Sequence, residues 1–213
     1  MARVAVFGGS FNPIHYGHLL LADEVREALG LSRVIFIPAS FPPHKSPLHL
    51  APAHDRYAMV ALATAGNPAF VVSDVELRRP GPSYTVDTVA ELRAASDDEL
   101  FLLVGSETFL DLLSWKDATR IARLARFVVV PRAGSTFDPD SVQALKVLRE
   151  IGQGRFVRAS DPLAADGVLV VHATSLPISA SDLRRRAREG RSLAYRMPDS
   201  VIAYIHAQRL YHG

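Results

Sequence analysis

Short apolar runs recur along the chain, and each is rich in β-branched and aromatic residues. They cover Arg3–Phe7, Val34–Pro38, Phe70–Ser73, Leu100–Val104, Phe127–Val130 and Val168–Val171. Because the runs are short and apolar throughout instead of alternating, they are typical of parallel strands that are covered on both faces.

Amphipathic segments separate these runs. Apolar side chains line one face of the segment after the first run at Leu19, Leu20, Ala22, Val25 and Leu29. The segment after the second run has the same pattern at Tyr57, Val60, Ala61 and Thr64, and further helical segments are Val86–Leu92 and the stretch with Ile121, Leu124 and Ala125. This alternation predicts an α/β fold with a doubly wound, mainly parallel, Rossmann-like sheet and right-handed crossovers.

The C-terminal part is predicted to be a small helical part. One helix begins at Ser179, and another opens at Pro198 and Asp199. The segment Ala39–Pro52 holds four prolines and is predicted to be a long loop, of a kind that often serves as a lid. No linker interrupts the chain, so residues 1–213 are predicted to form a single domain.

Composition narrows the class of protein. The 213 residues are 48% hydrophobic, which allows one sizeable core, and the formal net charge of +2 suits a small anionic substrate without favouring nucleic acid. The chain has no cysteine, which excludes disulfides, thiolate metal sites and cysteine nucleophiles. No apolar stretch approaches the roughly 20 residues of a membrane span, and no secretory segment precedes the first run. We therefore expect a cytoplasmic protein with no membrane partner.

The strongest chemical signal is the segment Gly8–His18, which reads GGSFNPIHYGH. It lies between the first strand and a helix, at the carboxyl edge of the predicted sheet, where open α/β folds bind ligands. Gly8 and Gly9 are expected to allow a sharp turn and close approach of a phosphate. His15 and His18 are three positions apart, so the start of a helix puts both rings on one face, beside the free N–H groups of its first turn.

Other interpretations of this segment are weaker. The dinucleotide fingerprint G-x-G-x-x-G and the P-loop lysine motif are both absent. A zinc site is disfavoured because the two histidines have neither a thiolate partner nor an H-E-x-x-H context. The simplest alternative, a glycine-rich turn with two solvated histidines, does not account for their place between a strand and a helix.

The segment resembles the signature of the HxGH nucleotidyltransferase superfamily, and in particular its nicotinate-mononucleotide adenylyltransferase branch. Further segments resemble the same branch in the same order along nearly the whole chain: Pro42–Lys45, Tyr84–Thr88, Gly105–Glu107 with Trp115, Ile178–Arg184 and Val201–Tyr211.

The resemblance implies a role for each matching residue. The ATP-binding residues would be Gly8, Gly9, Ser10, Phe11, His15, His18, Gly105, Ser179, Ser181 and Arg184, and the catalytic ones His15, His18 and Arg184. The mononucleotide-binding residues would be Lys45, which reaches the phosphate region from its loop, Tyr84, Thr85, Glu107 and Trp115, which stacks on the pyridine ring. The family commonly has aspartate at the position of Glu107, and the extra methylene moves the carboxylate by roughly 1.5 Å. The other arginines near Arg184 (Arg185, Arg186, Arg188 and Arg191) are expected to form a solvated face.

The implied activity is transfer of the adenylyl group of ATP to nicotinate mononucleotide in NAD biosynthesis. Mg²⁺ is expected to enter with ATP, held mostly by substrate oxygens and water, with no metal site in the protein itself. The expected partners are ATP and nicotinate mononucleotide, with no nucleic acid, and the sequence carries no signal for the oligomeric state. The alternatives within the same chemistry are an adenylyltransferase for nicotinamide mononucleotide or phosphopantetheine and a cytidylyltransferase for glycerol phosphate. A noncatalytic nucleotide sensor is the alternative from another class.

Overall fold

The computed structural model describes residues 1–42, 50–131, 134–158 and 167–212. Its seven strands are β1 (Arg3–Gly9), β2 (Arg33–Pro38), β3 (Phe70–Val72), β4 (Glu99–Gly105), β5 (Arg126–Val130), β6 (Phe156–Arg158) and β7 (Val168–Val170). They form one sheet in the order β3-β2-β1-β4-β5-β7-β6, and every pairing is parallel. The predicted doubly wound parallel sheet is confirmed, and all six predicted strands are present within two residues of their expected ends.

Helices in the described part of the chain connect the strands. They are α1 (Tyr16–Ala28), α2 (Ala53–Thr64), α3 (Val75–Arg78), α4 (Thr85–Ala95), α5 (Ser106–Leu110), α6 (Ala118–Leu124), α7 (Val142–Glu150), α8 (Ala180–Arg188) and α9 (Asp199–Ala207), with a short 3₁₀ helix at Leu112–Ser114. The helices α8 and α9 form the predicted helical C-terminal part. None of the helices in the described ranges is long and apolar enough to cross a membrane.

The core lies on both faces of the sheet. One cluster holds Ala5 with Ala22 and Val25 of α1, Met59 of α2, Leu183 of α8 and Val201 of α9. The other holds Val4 and Val6 with Val89 of α4, Ile121 of α6 and Leu148 of α7. Alternate residues of β1 thus face opposite clusters, which explains why the strand is apolar throughout.

Three differences from the sequence prediction have local causes. Strand β6 has only three residues, of which Phe156 and Arg158 are not fully buried, so it lacks an apolar run. Helices α3 and α5 are too short to show a period of 3.6 residues. The buried face of α2 consists of Arg56, Met59, Val60 and Thr64. Val60 and Thr64 were predicted, whereas Tyr57 and Ala61 are only half-buried, because an arginine takes a position that the pattern reserves for an apolar side chain.

The order of the strands creates a switch point beside β1. The chain builds outward from β1 through β2 to β3 on one side, and from β4 through β5 on the other. At such a point the connections leave the carboxyl edge in opposite directions and open a crevice between them. The segment Gly8–His18 leaves β1 at this crevice.

Candidate functional site

The loop between β1 and α1 differs in one respect from expectation. Gly8 and Gly9 still belong to β1, and the sharp turn lies instead at Phe11, whose φ of 42° is in the left-handed region. The Phe11 side chain is buried in the core, and a Cβ atom on Gly9 would lie 3.1 Å from its ring. A Cβ on Gly8 would meet nothing within 4 Å. Gly9 is thus required for packing, whereas Gly8 borders open space at the end of the strand.

The two histidines stack at the start of α1. His15 is the N-cap residue and is buried, and its ring centroid lies 3.8 Å from that of His18 at an interplanar angle of 28°. The predicted placement on one face is confirmed. The backbone N–H of His15 donates to Nδ1 of His18 over 3.3 Å. Because Nδ1 accepts a hydrogen bond, the neutral His18 ring carries its proton on Nε2 and presents a donor.

Gly17 is needed for this stack. A Cβ atom at position 17 would lie 3.0 Å from Nδ1 and 3.1 Å from Cε1 of His15. Any larger residue would displace the buried His15 ring, so the glycine between the two histidines serves their packing directly.

Helix α8 brings its polar residues to the same loop. The guanidinium of Arg184 donates to the backbone oxygen of Asn12 over 2.8 Å, across 172 residues of sequence. Ser179 is the N-cap of α8 and accepts from the N–H of Asp182 at 3.2 Å, and the hydroxyls of Ser179 and Ser181 lie 3.2 Å apart. The structure therefore places the I-S-x-S-x-x-R segment against the segment that contains His15 and His18.

The neighbouring arginines have other partners. Arg185 pairs with the exposed carboxylate of Asp182, and the pKa of Asp182 is lowered, first by that hydrogen bond. Nε of Arg186 donates to the backbone oxygen of Ser192 over 2.9 Å. These contacts stay within the C-terminal part, which agrees with the predicted solvated face.

Asn12 is a connecting residue that the sequence analysis did not single out. Its buried side-chain oxygen accepts from the N–H of Ala51 at 3.0 Å and from the hydroxyl of Tyr211 at 2.8 Å. Burial raises the pKa of Tyr211, while the positive charges of Arg184 and Arg56 oppose the shift. The C-terminal tail is thus tied to the loop after β1.

Arg56 is a second residue that was missed. Its side chain is only 1% exposed, and its guanidinium donates to the backbone oxygens of Ala51 (2.9 Å), Ser10 (2.9 Å), Ala39 (2.6 Å) and Ser40 (3.2 Å). Burial lowers its pKa, and electrostatic interactions with Tyr211 and Glu76 partly offset the effect. The signal that could have revealed it is its spacing: Arg56 lies three and four residues before the core residues Met59 and Val60.

Tyr84, Thr85 and Trp115, which are expected to hold the mononucleotide, lie on the face of the sheet opposite α1 and α8. Tyr84 is the N-cap of α4 and Thr85 its first residue, so the prediction that this segment opens a helix is confirmed. Within the described residues, no side chain caps this helix end. Trp115 is half-buried and packs with Tyr84 against the same core cluster. Tyr84 and Trp115 therefore lie on the same face of the sheet.

Two further predicted site residues, Gly105 and Glu107, lie at the end of β4 and the start of α5. Gly105 ends β4 and caps α5, and Oε2 of Glu107 lies 3.7 Å from where a Cβ on Gly105 would be. The exposed carboxylate of Glu107 therefore folds back toward the end of β4. Lys45 lies outside the described residues. Over the four described ranges, no three His, Cys, Asp or Glu residues gather in a way that could hold a metal ion.

Comparison with known proteins agrees with this architecture. The model of the cytidylyltransferase-like family matches residues 6–186. A protein of Roseiflexus sp. is 42% identical over 99% of this chain and 98% of its own length, and one of Thermus thermophilus is 41% identical over 98% and 99%. Both are named probable nicotinate-nucleotide adenylyltransferase.

A solved structure shares the fold at lower sequence identity. The nicotinic acid mononucleotide adenylyltransferase of Plasmodium falciparum, complexed with NaAD, superposes with a TM-score of 0.76 at 17% identity, over 99% of this chain and 98% of that one. Together with the family model and the full-length relatives, the parallel sheet and the HxGH segment at its switch point show that the chain belongs to the cytidylyltransferase-like nucleotidyltransferases, in their nicotinate-nucleotide adenylyltransferase branch.

Proposed function

We propose that this chain transfers the adenylyl group of ATP to nicotinate mononucleotide, giving nicotinate adenine dinucleotide and pyrophosphate in NAD biosynthesis. The observation that carries the proposal is the Arg184–Asn12 contact, which brings the two predicted phosphate-binding segments together at the switch point. The full-length relatives named for this activity support the same acceptor.

A phosphate oxygen of the mononucleotide would attack the α-phosphorus of ATP in line. One P–O bond forms to the acceptor, and the bond from the α-phosphorus to the bridging oxygen breaks, so that pyrophosphate leaves with the electron pair. The attacking phosphate is already ionised at pH 7, so no general base is needed. The protein has to position two anions and stabilise the charge that develops on the phosphates.

The histidines, Arg184 and the two serines of α8 each have a part in this scheme. Nε2–H of His18 would donate to the triphosphate, and the N-terminus of α1 adds N–H groups and its dipole. The ring stack would hold the imidazole of His15 beside that of His18. One N–H group of Arg184 donates to the backbone oxygen of Asn12, and its remaining donors would bind phosphate oxygens. Ser179 and Ser181 would contact the same phosphates.

Magnesium would enter as part of the substrate. The described residues near the histidines and α8 offer mainly nitrogen donors, hydroxyls and cations, which suit phosphate oxygens better than Mg²⁺. Mg²⁺ would therefore be held mostly by oxygens of the triphosphate and by water, and it would supply positive charge against the phosphates. Residues 1–213 would act as one domain, and Glu107 would contact the mononucleotide in the place of the family's aspartate.

A pyrophosphate-release assay with ATP and a panel of acceptors tests the proposal. The panel holds nicotinate mononucleotide, its amide, phosphopantetheine and glycerol phosphate. We expect the highest kcat/KM with nicotinate mononucleotide, at least tenfold above the amide, which corresponds to about 1.4 kcal/mol. Preference for another acceptor would overturn the assignment of the acceptor. ATP binding without pyrophosphate release from any acceptor would instead indicate a nucleotide sensor.

A further inference from the structure

Lys116 is held in a fixed position next to the predicted pyridine pocket. It follows Trp115, whose backbone N–H donates to the oxygen of Leu112 at 3.0 Å. It precedes Asp117, which has a φ of 51° and caps α6 by accepting from the N–H of Arg120 at 3.2 Å. The backbone on both sides of Lys116 is therefore constrained by a helix end.

The Lys116 side chain reaches the start of α4. Its Nζ donates to Oδ2 of Asp87 over 2.9 Å and lies 4.7 Å from the centroid of the Tyr84 ring. Asp87 is the acidic residue in the first turn of α4, and about half of the Lys116 side chain is exposed. The pair thus lies at the surface beside the helix end that is predicted to bind the acceptor.

An unpaired Asp87 would weaken the binding of the nicotinate carboxylate. Its negative charge would repel the substrate carboxylate, and its oxygens could accept the N–H groups of a carboxamide. Lys116 neutralises this charge and occupies Oδ2. It also adds a cation beside Tyr84, so the uncapped N–H groups of α4 meet the substrate without a competing anion.

We propose that Lys116 is a specificity-determining residue, an inference that rests on the proposed acceptor. Its ammonium neutralises the charge of Asp87 and so favours the acid mononucleotide over the amide. For an assumed separation of about 8 Å between the Lys116 ammonium and the substrate carboxylate, and an effective dielectric constant between about 20 and 80, Coulomb's law gives a change in relative binding of roughly two- to thirtyfold. The half-exposed position of the pair places the effect near the lower end, at about fivefold.

The measured quantity is the ratio of kcat/KM for nicotinate mononucleotide to that for nicotinamide mononucleotide, at saturating ATP. Lys116→Met keeps the length of the side chain and removes the charge, and we expect the ratio to fall about fivefold. Lys116→Arg should keep the ratio. Asp87→Asn should raise it, and the double variant Lys116→Met/Asp87→Asn should return it to within about twofold of the parent value, because both charges are then gone.

Two controls separate this role from a structural one. Lys146→Met makes the same chemical change at an exposed lysine on α7 and should leave the ratio unchanged. The difference between Lys116→Met and the parent should also shrink at about 1 M KCl, where the Debye length is about 3 Å. A packing defect would not be relieved by salt.

The outcomes distinguish this inference from the proposed function. An unchanged ratio in Lys116→Met, or an equal fall in Lys146→Met, overturns the role of Lys116 while adenylyl transfer stands. If the parent protein releases no pyrophosphate with either mononucleotide, the proposed function itself fails, and the role of Lys116 fails with it.

Discussion

Replacement of Arg56 should both destabilise the fold and impair the site. The Arg56 guanidinium is buried and joins three places far apart in the sequence: Ser10 in the loop after β1, Ala39 and Ser40 after β2, and Ala51 before α2. Arg56→Ala removes all these hydrogen bonds at once and leaves a cavity. Arg56→Lys keeps the charge but lacks the planar fork that reaches several acceptors together.

The expected cost follows from these contacts. Removing a buried, hydrogen-bonded charge and orphaning its partners costs about 3–5 kcal/mol. Ser10, Ala39 and Ser40 are half-buried, so water can partly replace the lost donors, whereas Ala51 is buried. Glu76 also loses a compensating charge. We expect about 3–5 kcal/mol for Arg56→Ala, a fall in Tm of roughly 6–20 °C for a domain of this size, and about 2 kcal/mol for Arg56→Lys.

Thermal and urea unfolding, followed by circular dichroism, measure these effects. Arg149→Ala is the matched control, because its side chain on α7 is 76% exposed, and it should shift Tm by less than about 2 °C. Pyrophosphate release is then measured at a temperature at which both Arg56 variants are folded. We expect the KM for ATP to rise in Arg56→Lys, since Ser10 lies in the predicted ATP-binding loop. If Arg56→Ala unfolds at the same temperature as Arg149→Ala, the reasoning about the buried guanidinium is wrong.

Three further changes test the predicted ATP side. His18→Ala should keep the fold and lower kcat by roughly 10²–10³, about 3–4 kcal/mol, because one preorganised donor is lost. His206→Ala on α9 is the control. Near-normal turnover by the His18→Ala variant would remove His18 from the mechanism. Arg184→Lys should raise the KM for ATP and lower kcat, since the fork that contacts Asn12 is lost, whereas Arg188→Lys on the same helix should not; equal kinetics would place Arg184 with its solvated neighbours. Gly17→Ala should lower kcat by displacing the His15 ring, whereas Gly66→Ala should not, because its Cβ meets nothing within 4 Å. An unchanged kcat in Gly17→Ala would contradict the importance of the His15–His18 stack.

The elements that the sequence predicted well are those whose signal is local. Strands β1, β2, β4 and β5 are buried on both faces, so their residues are apolar regardless of which neighbour they meet. The stack of His15 and His18 also follows from local geometry, because residues i and i+3 at a helix start must share a face. The turn at Phe11 shows the limit of the local argument: two glycines predict where a turn is permitted, but the core contact of the Phe11 ring decides where it occurs.

The residues that were missed act over long distances in the sequence. Tyr211 and Asn12 are 199 residues apart, and Arg56 and Ser10 are 46 apart, so no periodicity or spacing could pair them. What the sequence does contain is a conflict, namely a charged residue on the buried face of α2. Such a conflict is costly unless the charge finds several partners, and backbone oxygens at loop ends are partners that a sequence cannot display. Conflicts of this kind therefore mark positions where the fold uses a side chain to fix a loop, and here the loops so fixed are those that border the candidate site.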